Sequence, residues 1–151
     1  MTTDTHIPAL QRLLATLTDP ERRRLARRIA AQLQAANAAR IKAQQQPDGT
    51  PFEPRKPQGA RYPAAQGKIR QRLFERLGTP GLLRIRATTP GLAEVGFTGR
   101  DERIARVHHY GLTDAVSPRL SIRYPIRQLL GITDADRAAI AATVVAHITG
   151  A

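Results

Sequence analysis

Apolar residues in the first third of the chain recur at intervals of three and four, the spacing of one face of a helix. One stripe predicts a short amphipathic helix that ends near Thr18: Ile7, Leu10, Leu13, Leu14 and Leu17. A second, long helix is predicted to begin at Asp19-Pro20-Glu21, because proline suits the first turn and a carboxylate favours the positive end of the helix dipole. Its narrow apolar stripe consists of Leu25, Ile29, Leu33 and Ala36. Such a helix lies across a small sheet or against a partner subunit, and we expect the sheet.

After a further helix predicted over residues 68–77, the hydrophobic period changes from about four to two. That helix is basic, carries Ile69, Leu73 and Leu77 on one face, and ends at Gly78. Two alternating segments follow on either side of Pro90-Gly91, namely Leu83, Ile85 and Ala87, then Ala93, Val95 and Phe97. They predict a β-hairpin with one solvent-exposed face, on which Glu94 lies across from Arg84 or Arg86.

Two runs near the C-terminal end organise the rest of the chain. In the first, residues 104–112, helical spacing stops at Gly111, a residue that accepts the left-handed conformation on which helices commonly end. In the second, a third strand over residues 120–124 breaks at Pro125, which fixes φ and has no N–H to donate. Arg127 is then predicted as a cation held on a rigid corner, serving assembly more than folding, while Leu129 and Leu130 return to the core.

The last segment predicts a closing helix. Thr133 and Asp136 offer a capping-box-like start, and the apolar face consists of Ile140, Val144 and Ile148. The resulting order of helices, hairpin, short helix, strand and helix is typical of an α+β fold. We expect a small antiparallel sheet, made of the hairpin and the third strand, packed by the long N-terminal helix and the C-terminal helix. At 151 residues and 41% hydrophobic, the chain suits one core, so a single domain over residues 1–151 is predicted.

Residues 47–67 differ in composition from their surroundings, since they hold five of the eleven prolines. Asp48-Gly49 is a turn signal, and Phe52 is the only large apolar residue in this stretch before Tyr62. This composition predicts an extended arm without secondary structure of its own, mobile in the isolated subunit and ordered on contact with a neighbour.

Charge is unevenly distributed along the chain. The formal net charge is +12, and +11 of it arises between Arg22 and Arg72, where thirteen Lys and Arg stand against Asp48 and Glu53. On the long helix the predicted basic surface consists of Arg23, Arg24, Arg27 and Arg28. A field of this sign favours polyanions, namely nucleic acid, an acidic membrane or an acidic protein surface. A solvated face without a ligand explains the charge equally well.

Candidate chemistry is sparse. Cysteine is absent, which excludes disulfides, thiolate catalysis and cysteine-ligated zinc and favours an intracellular site of assembly. The first 18 residues carry Asp4 and Pro8 and no long apolar run, so we expect a soluble protein with neither a signal peptide nor a membrane anchor. His108 and His109 are adjacent on a predicted helix, so they point about 100° apart and cannot grip one metal ion together.

Catalytic motifs are also missing from the sequence. Glu53 and Lys56 faintly match the acidic and lysine pattern of metal-dependent nucleases, but their spacing is wrong and no strand would hold two carboxylates on a metal. Ser117 and Ser121 are the only serines, and neither lies in a nucleophile elbow. A phosphate-binding glycine loop followed by Lys and Ser or Thr is lacking. We therefore expect neither an enzyme nor a cofactor or metal site.

Four motifs in the same order resemble the phage virion morphogenesis family, the tail completion proteins of contractile-tailed phages and their prophage relatives. They are Gln44-Gln45-Gln46-Pro47-Asp48-Gly49-Thr50-Pro51-Phe52-Glu53-Pro54-Arg55, Val95-Gly96-Phe97, Ala105-Arg106-Val107-His108-His109-Tyr110-Gly111-Leu112, and Tyr124-Pro125-Ile126-Arg127-Gln128-Leu129-Leu130-Gly131. The resemblance covers most of the chain, from the long helix to the C-terminal helix.

The resemblance implies a structural protein that finishes the tail and joins it to the filled head, as a ring at the neck with six-fold symmetry. It implies as partners a second copy of this chain, the tail tube or tail terminator, and the head-tail connector, in a virion assembled in the bacterial cytoplasm. The predicted assembly interface lies on these motifs and comprises Pro47, Asp48, Gly49, Phe52, Arg55, Lys56, His108, Tyr110 and Arg127.

A second hypothesis from another class is a non-catalytic nucleic-acid-binding protein whose region 22–72 tracks phosphates. Against it, the arm offers only Phe52 and Tyr62 for stacking on bases, and no convincing recognition helix is present. A membrane-surface role for the long helix fails because bulky apolar anchors are lacking. Non-specific contact with DNA fits either hypothesis.

Overall fold

The computed structural model of the chain describes residues 6–55 and 72–150. The elements in these residues are, in order, α1 (His6–Thr16), α2 (Asp19–Lys42), β1 (Leu83–Thr89), β2 (Leu92–Phe97), α3 (Arg100–Tyr110), β3 (Thr113–Ser117), β4 (Leu120–Arg123) and α4 (Asp134–Thr149). They confirm the predicted α+β class. The described residues fall into two compact units. Of the described residues, unit 1 draws on residues 6–36, Leu83–Gly96 and residues 132–150, and unit 2 on residues 37–55, 72–82 and Phe97–Gly131.

The junction of α1 and α2 in unit 1 is closed by side chains. The backbone N–H and the hydroxyl of Thr18 both donate to the Glu21 carboxylate, at 2.7 and 2.6 Å. These bonds lower the pKa of Glu21, the hydroxyl contact contributing most. Arg22 donates in turn to the carbonyls of Leu14 and Ala15 at the end of α1. The predicted end of α1 near Thr18 and the restart at Asp19 are confirmed.

Helix α2 contacts the first hairpin within unit 1. Leu25, Ala26 and Ala30 are buried, and the Gln34 amide donates to the carbonyl of Leu83 at 2.7 Å. Strands β1 and β2 pair with each other, as the alternating pattern predicts. Glu94 forms the expected cross-strand ion pair with Arg86, with Nε and Oε1 3.4 Å apart and both side chains partly exposed.

Helix α4 begins with the predicted capping box. The Thr133 hydroxyl accepts from the backbone N–H of Asp136, and the Asp136 carboxylate accepts from the N–H of Thr133. On its inner face Thr143 and Val144 are buried, and Thr143 receives a 2.6 Å hydrogen bond from the Gln32 amide of α2. Local capping chemistry thus fixes this helix where the sequence predicts it.

The third strand does not extend the first hairpin. It is β4, and it pairs antiparallel with β3, placing Thr113 opposite Arg123 and Asp114 opposite Ile122. The sheet expected as one hairpin plus a third strand is therefore, in the described residues, a pair of two-stranded sheets. The sequence gives no signal for β3 because none of its residues is buried, so no apolar alternation marks it.

The helix predicted over residues 68–77 is wrong for its described part, which consists of bends and turns from Arg72 onward. Phe74 has φ of 59°, which a right-handed helix cannot accommodate. Leu73 and Leu77 are nevertheless buried, so the four-residue spacing correctly indicates which residues face the core. The first four residues of that predicted helix lie outside the described part of the chain.

Candidate assembly site

The segment that begins the proline-rich arm is a closed turn in unit 2. Gln45 and Pro51 form an isolated antiparallel bridge, and the Asp48 carboxylate accepts from the hydroxyl and backbone N–H of Thr50 at 2.6 and 2.9 Å. These two bonds lower the pKa of Asp48, the hydroxyl contributing most. Residues 47–51 are thus folded on themselves rather than extended, because a short Asx-type network satisfies their polar groups.

Phe52 packs inside unit 2 at the head of a row of four rings. It is buried, with its ring edge-on to Phe74 at a centroid distance of 5.5 Å. Phe74 in turn contacts His108 at 4.8 Å, and His108 contacts Tyr124 at 4.7 Å. Edge-to-face rings at these separations attract one another beyond the area they bury. Phe74, whose backbone has φ of 59°, thus joins Phe52 to His108.

Arg127 holds three segments of unit 2 together. Its side chain is only 3% exposed. Its Nε and Nη2 donate to the carbonyls of Glu53 and Pro54 at 2.6 and 3.0 Å, and its Nη1 lies 3.0 Å from Nδ1 of His108. Burial lowers the pKa of the guanidinium, an effect that the Glu53 carboxylate opposes. The cation predicted on a rigid corner, for assembly rather than folding, is instead an internal one, held by backbone carbonyls of its own unit.

This contact fixes the protonation state of His108. A guanidinium can only donate, so Nδ1 of His108 accepts and the ring is neutral with its proton on Nε2. Burial, together with the positive charges of Arg127 and Arg55, lowers the pKa of His108 from 6.5 to about 4. Burial also lowers the pKa of His109, whose Nδ1 accepts from the backbone N–H of Leu129 at 3.2 Å. Both histidines thus serve as neutral acceptors inside unit 2.

The chain from Arg127 to Gly131 is fastened along its length by amide side chains. Gln46 accepts from the backbone N–H of Gln128 at 2.8 Å, and Asn37 accepts from that of Gly131 at 2.9 Å. The Arg40 guanidinium donates to the Gly131 carbonyl at 2.9 Å. Leu129, at 1% exposure, reaches the core as predicted. Irregular backbone can be held here because side chains supply the partners that secondary structure otherwise provides.

Sequence reasoning missed the side chains that hold the irregular backbone of unit 2, and one of them, Asn37, carried a signal. Asn37 continues the buried face of α2 between Ala30 and Ile41, so it is a polar residue at an apolar position and calls for a partner. Gln44 follows the end of α2 with φ of 62° and binds both backbone groups of Leu73. No pattern marks Tyr124 or Phe74 as members of the ring row.

The predicted interface residues are divided between the interior and the surface. Phe52, His108 and Arg127 come together inside unit 2, where Phe52 and Arg127 are buried rather than exposed to a neighbour. Asp48, Gly49 and Arg55 are exposed, Pro47 is half-buried, and Tyr110 is 62% exposed with its ring against His109. Lys56 and the rest of the arm to residue 67 lie outside the described residues.

The predicted basic surface lies on α2 in unit 1. Arg23, Arg24, Arg27 and Arg28 are all exposed, and their spacing places them on one side of the helix. Arg22 differs from them, since its guanidinium is engaged with the end of α1. In the described residues these four arginines form one continuous cationic strip.

Neither a metal nor a membrane is indicated by the described part of the chain. Residues 6–55 and 72–150 contain no group of three or more His, Asp and Glu side chains that could hold a metal ion. Within the same ranges, every helix is too short or too polar to cross a bilayer.

Comparison with known proteins identifies the family. The model of the phage virion morphogenesis family matches residues 4–149. The chain is 34% identical over 137 residues to tail completion protein S of Escherichia phage P2, a match that covers 90% of each chain. No solved structure matches. The family match spans both compact units, and the chain belongs to the phage virion morphogenesis family.

Proposed function

We propose that this protein is a non-enzymatic structural subunit that completes a phage tail and joins it to the head as a ring at the neck. The observation that carries the proposal is the match to a tail completion protein over 90% of both chains. A match of that extent makes a shared fold and a shared role the simplest inference. The subunit then acts within the virion tail after assembly in the bacterial cytoplasm.

The internal geometry supports a structural role. The guanidinium of Arg127 and Nδ1 of His108 are bound to each other and to the backbone of unit 2. In a catalytic pair these atoms would be directed at a substrate. The motif residues left at the surface are available for contact with neighbours: Asp48, Gly49, Arg55 and Tyr110. We propose these as part of the interface, with a second copy, the tail tube or tail terminator and the head-tail connector as the neighbours.

Deleting the gene from its phage genome tests the proposal. We expect infected cells to accumulate filled heads and tails that are not joined, visible by negative-stain electron microscopy, and infectious particles to return when the gene is supplied in trans. Normal particle yield in the deletion strain would refute a tail-completing role. Images of the purified protein at high concentration test the ring, for which six-fold symmetry is expected.

A second candidate function is non-catalytic binding to nucleic acid, and the observation that favours it is the exposed strip of four arginines on α2. An arginine strip suits phosphates and acidic proteins alike. In the structural proposal the strip meets an acidic neighbour, with only non-specific contact to DNA. The two readings differ in what the strip's removal does to particle assembly.

A further inference from the structure

Strands β3 and β4 form a two-stranded ribbon in unit 2, and no residue of either strand is buried. Within the described residues neither strand pairs with a third one. An isolated two-stranded ribbon is marginally stable in water, and both of its edges present backbone groups to which another strand can bind. The ribbon is therefore a surface that another molecule can complete.

Aliphatic side chains are exposed on the ribbon. The register sets Asp114 opposite Ile122, and Leu120 lies on the same face two residues earlier in β4. Ile122 is 38% exposed, and Val116, at the irregularity between Ala115 and Ser117, is 52% exposed. Large aliphatic side chains grouped at a surface commonly mark a protein interface.

The remaining charge of the ribbon is positive. Asp114, the only carboxylate between residues 113 and 123, forms an ion pair with Arg103 of α3. Arg119 and Arg123 are exposed. Arginine is enriched in protein interfaces, and exposed aliphatic side chains gain free energy when they are buried in one. The aromatic side chains on which single-stranded nucleic acid stacks are absent between residues 113 and 123.

We propose that the β3–β4 ribbon docks in an acidic groove of a different tail protein that contacts both ribbon faces, burying Val116 and Ile122 and setting Arg119 and Arg123, the latter on the face opposite to Ile122, against its carboxylates. The exposed Arg119 and Arg123 disfavour a second ribbon as the occupant, because like charges repel at an interface. This inference rests on the proposed function for the origin of the partner and names the surface that meets it.

Site-specific cross-linking tests the docking, since a chain without cysteine accepts a unique thiol. Val116→Cys and a matched control, Val145→Cys on α4, replace valines that are 52% and 53% exposed. Each purified full-length variant is labelled with a benzophenone maleimide, added to extract of cells infected by the deletion phage, and irradiated. Particles are then purified and adducts are identified by mass spectrometry.

We expect the label at residue 116 to form an adduct with another protein of the particle, at a segment rich in Asp and Glu, and the label at residue 145 to form none with it. Adding Arg119→Glu and Arg123→Glu to the Val116→Cys chain should lower the adduct yield about tenfold. An adduct only with a second copy or with DNA, equal yields at both positions, no adduct at residue 116, or indifference to charge reversal would each overturn the proposal.

The same extract separates this inference from the proposed function. Unlabelled wild-type protein should restore infectious particles. If infectious particles return but no adduct forms at residue 116, the ribbon docking is refuted and the proposed function stands. If the adduct forms but infectious particles do not return, the tail-completing role is refuted and the ribbon still binds an acidic protein.

Discussion

Arg127 contacts His108 twice: its backbone N–H donates to the His108 carbonyl at 2.8 Å, and its guanidinium Nη1 lies 3.0 Å from Nδ1 of the same residue. The two remaining guanidinium bonds go to the carbonyls of Glu53 and Pro54. One side chain thus ties the end of α3 and the segment after the 45–51 turn to the irregular chain that follows β4. The geometry of unit 2 depends on this pair.

Arg127→Ala should therefore destabilise the fold. It empties a site in which the side chain is buried and leaves two backbone carbonyls and one ring nitrogen without their protein donors, so we expect a loss of about 3 kcal/mol in the free energy of unfolding. Urea unfolding measures it. Arg123→Ala, at an exposed position in β4, is the control and should change stability by less than about 0.5 kcal/mol. Equal effects of the two substitutions would contradict an internal role for Arg127.

Stability should fall with acid because of His108. Its pKa is about 4 in the folded protein, below the value of 6.5 in an unfolded chain, so the unfolded chain binds more protons between these two values. The contribution is complete above pH 6.5, decreases as the pH falls, and is lost near pH 4, amounting to about 3 kcal/mol at most. The lowered pKa of His109 acts in the same direction.

His108→Gln tests this origin, because glutamine can still accept from Arg127 and does not titrate. Urea unfolding at several pH values between about 7.5 and 4 should give a shallower slope for the variant than for the wild type. His109→Gln should remove the smaller remaining part. A variant whose stability falls as steeply as that of the wild type would assign the acid sensitivity to other groups.

Gly111 combines a conformational and a spatial requirement. Its φ is 63°, and a Cβ there would lie 2.6 Å from Cγ1 of Ile126 and 3.2 Å from the backbone of Tyr124. Gly150 has φ of 73° with nothing within 4 Å of a Cβ. Gly150→Ala should cost about 1 kcal/mol from the left-handed backbone alone, and Gly111→Ala about 2 kcal/mol or more. Thermal unfolding of both variants gives the difference, and equal losses would show that the space around Gly111 is not limiting.

The elements that the sequence predicts well are those fixed by neighbours along the chain. Helix α4 begins at the Thr133 capping box and α3 ends at Gly111, because both signals act within one turn. Arg127 could not be placed in this way. Its acceptors lie 73 and 74 residues away and are backbone carbonyls, which no side-chain pattern announces.

Residues 72–77 show how spacing can indicate burial without indicating conformation. Leu73 and Leu77 are four apart and both buried, as in a helix. The backbone of Leu73 is instead bound by the side chain of Gln44, through its N–H at 2.6 Å and its carbonyl at 2.7 Å. The Gln44 side chain thus satisfies the backbone N–H and carbonyl that helical hydrogen bonds would otherwise satisfy, so the segment need not be helical despite its four-residue spacing.

Gln44→Glu should disrupt the hydrogen bonding to Leu73 while conserving size. The new carboxylate still accepts from the N–H of Leu73 but turns a second oxygen towards the carbonyls of Leu73 and Ile41, which receive hydrogen bonds from the glutamine amide. We expect a loss of about 2 kcal/mol in the free energy of unfolding, measured in urea. Gln45→Glu introduces the same charge at an exposed neighbour and should have little effect. Similar losses in both would point to charge rather than to the hydrogen bonding to Leu73.

The arginine strip of α2 separates the structural function from nucleic-acid binding. Replacing Arg23, Arg24, Arg27 and Arg28 by Gln removes four exposed charges from unit 1. A control of equal charge change replaces four exposed arginines of unit 2, namely Arg72, Arg76, Arg100 and Arg106. If DNA contact is non-specific, both sets should weaken it alike, from dissociation constants of about 10⁻⁴ to 10⁻⁶ M at physiological salt.

Particle assembly then decides which molecule the strip meets. We expect the strip variant to lose joined particles in the deletion strain and the control variant to retain them. An acidic protein neighbour would contact one face of α2, so its binding depends on the position of the removed charges and not only on their number. Fluorescence anisotropy gives the DNA affinity and plaque counts give the assembly. Sub-micromolar, sequence-selective binding to one DNA site, lost only in the strip variant, would replace the structural role with a nucleic-acid one, since specific complexes exceed non-specific ones by about 10³-fold or more.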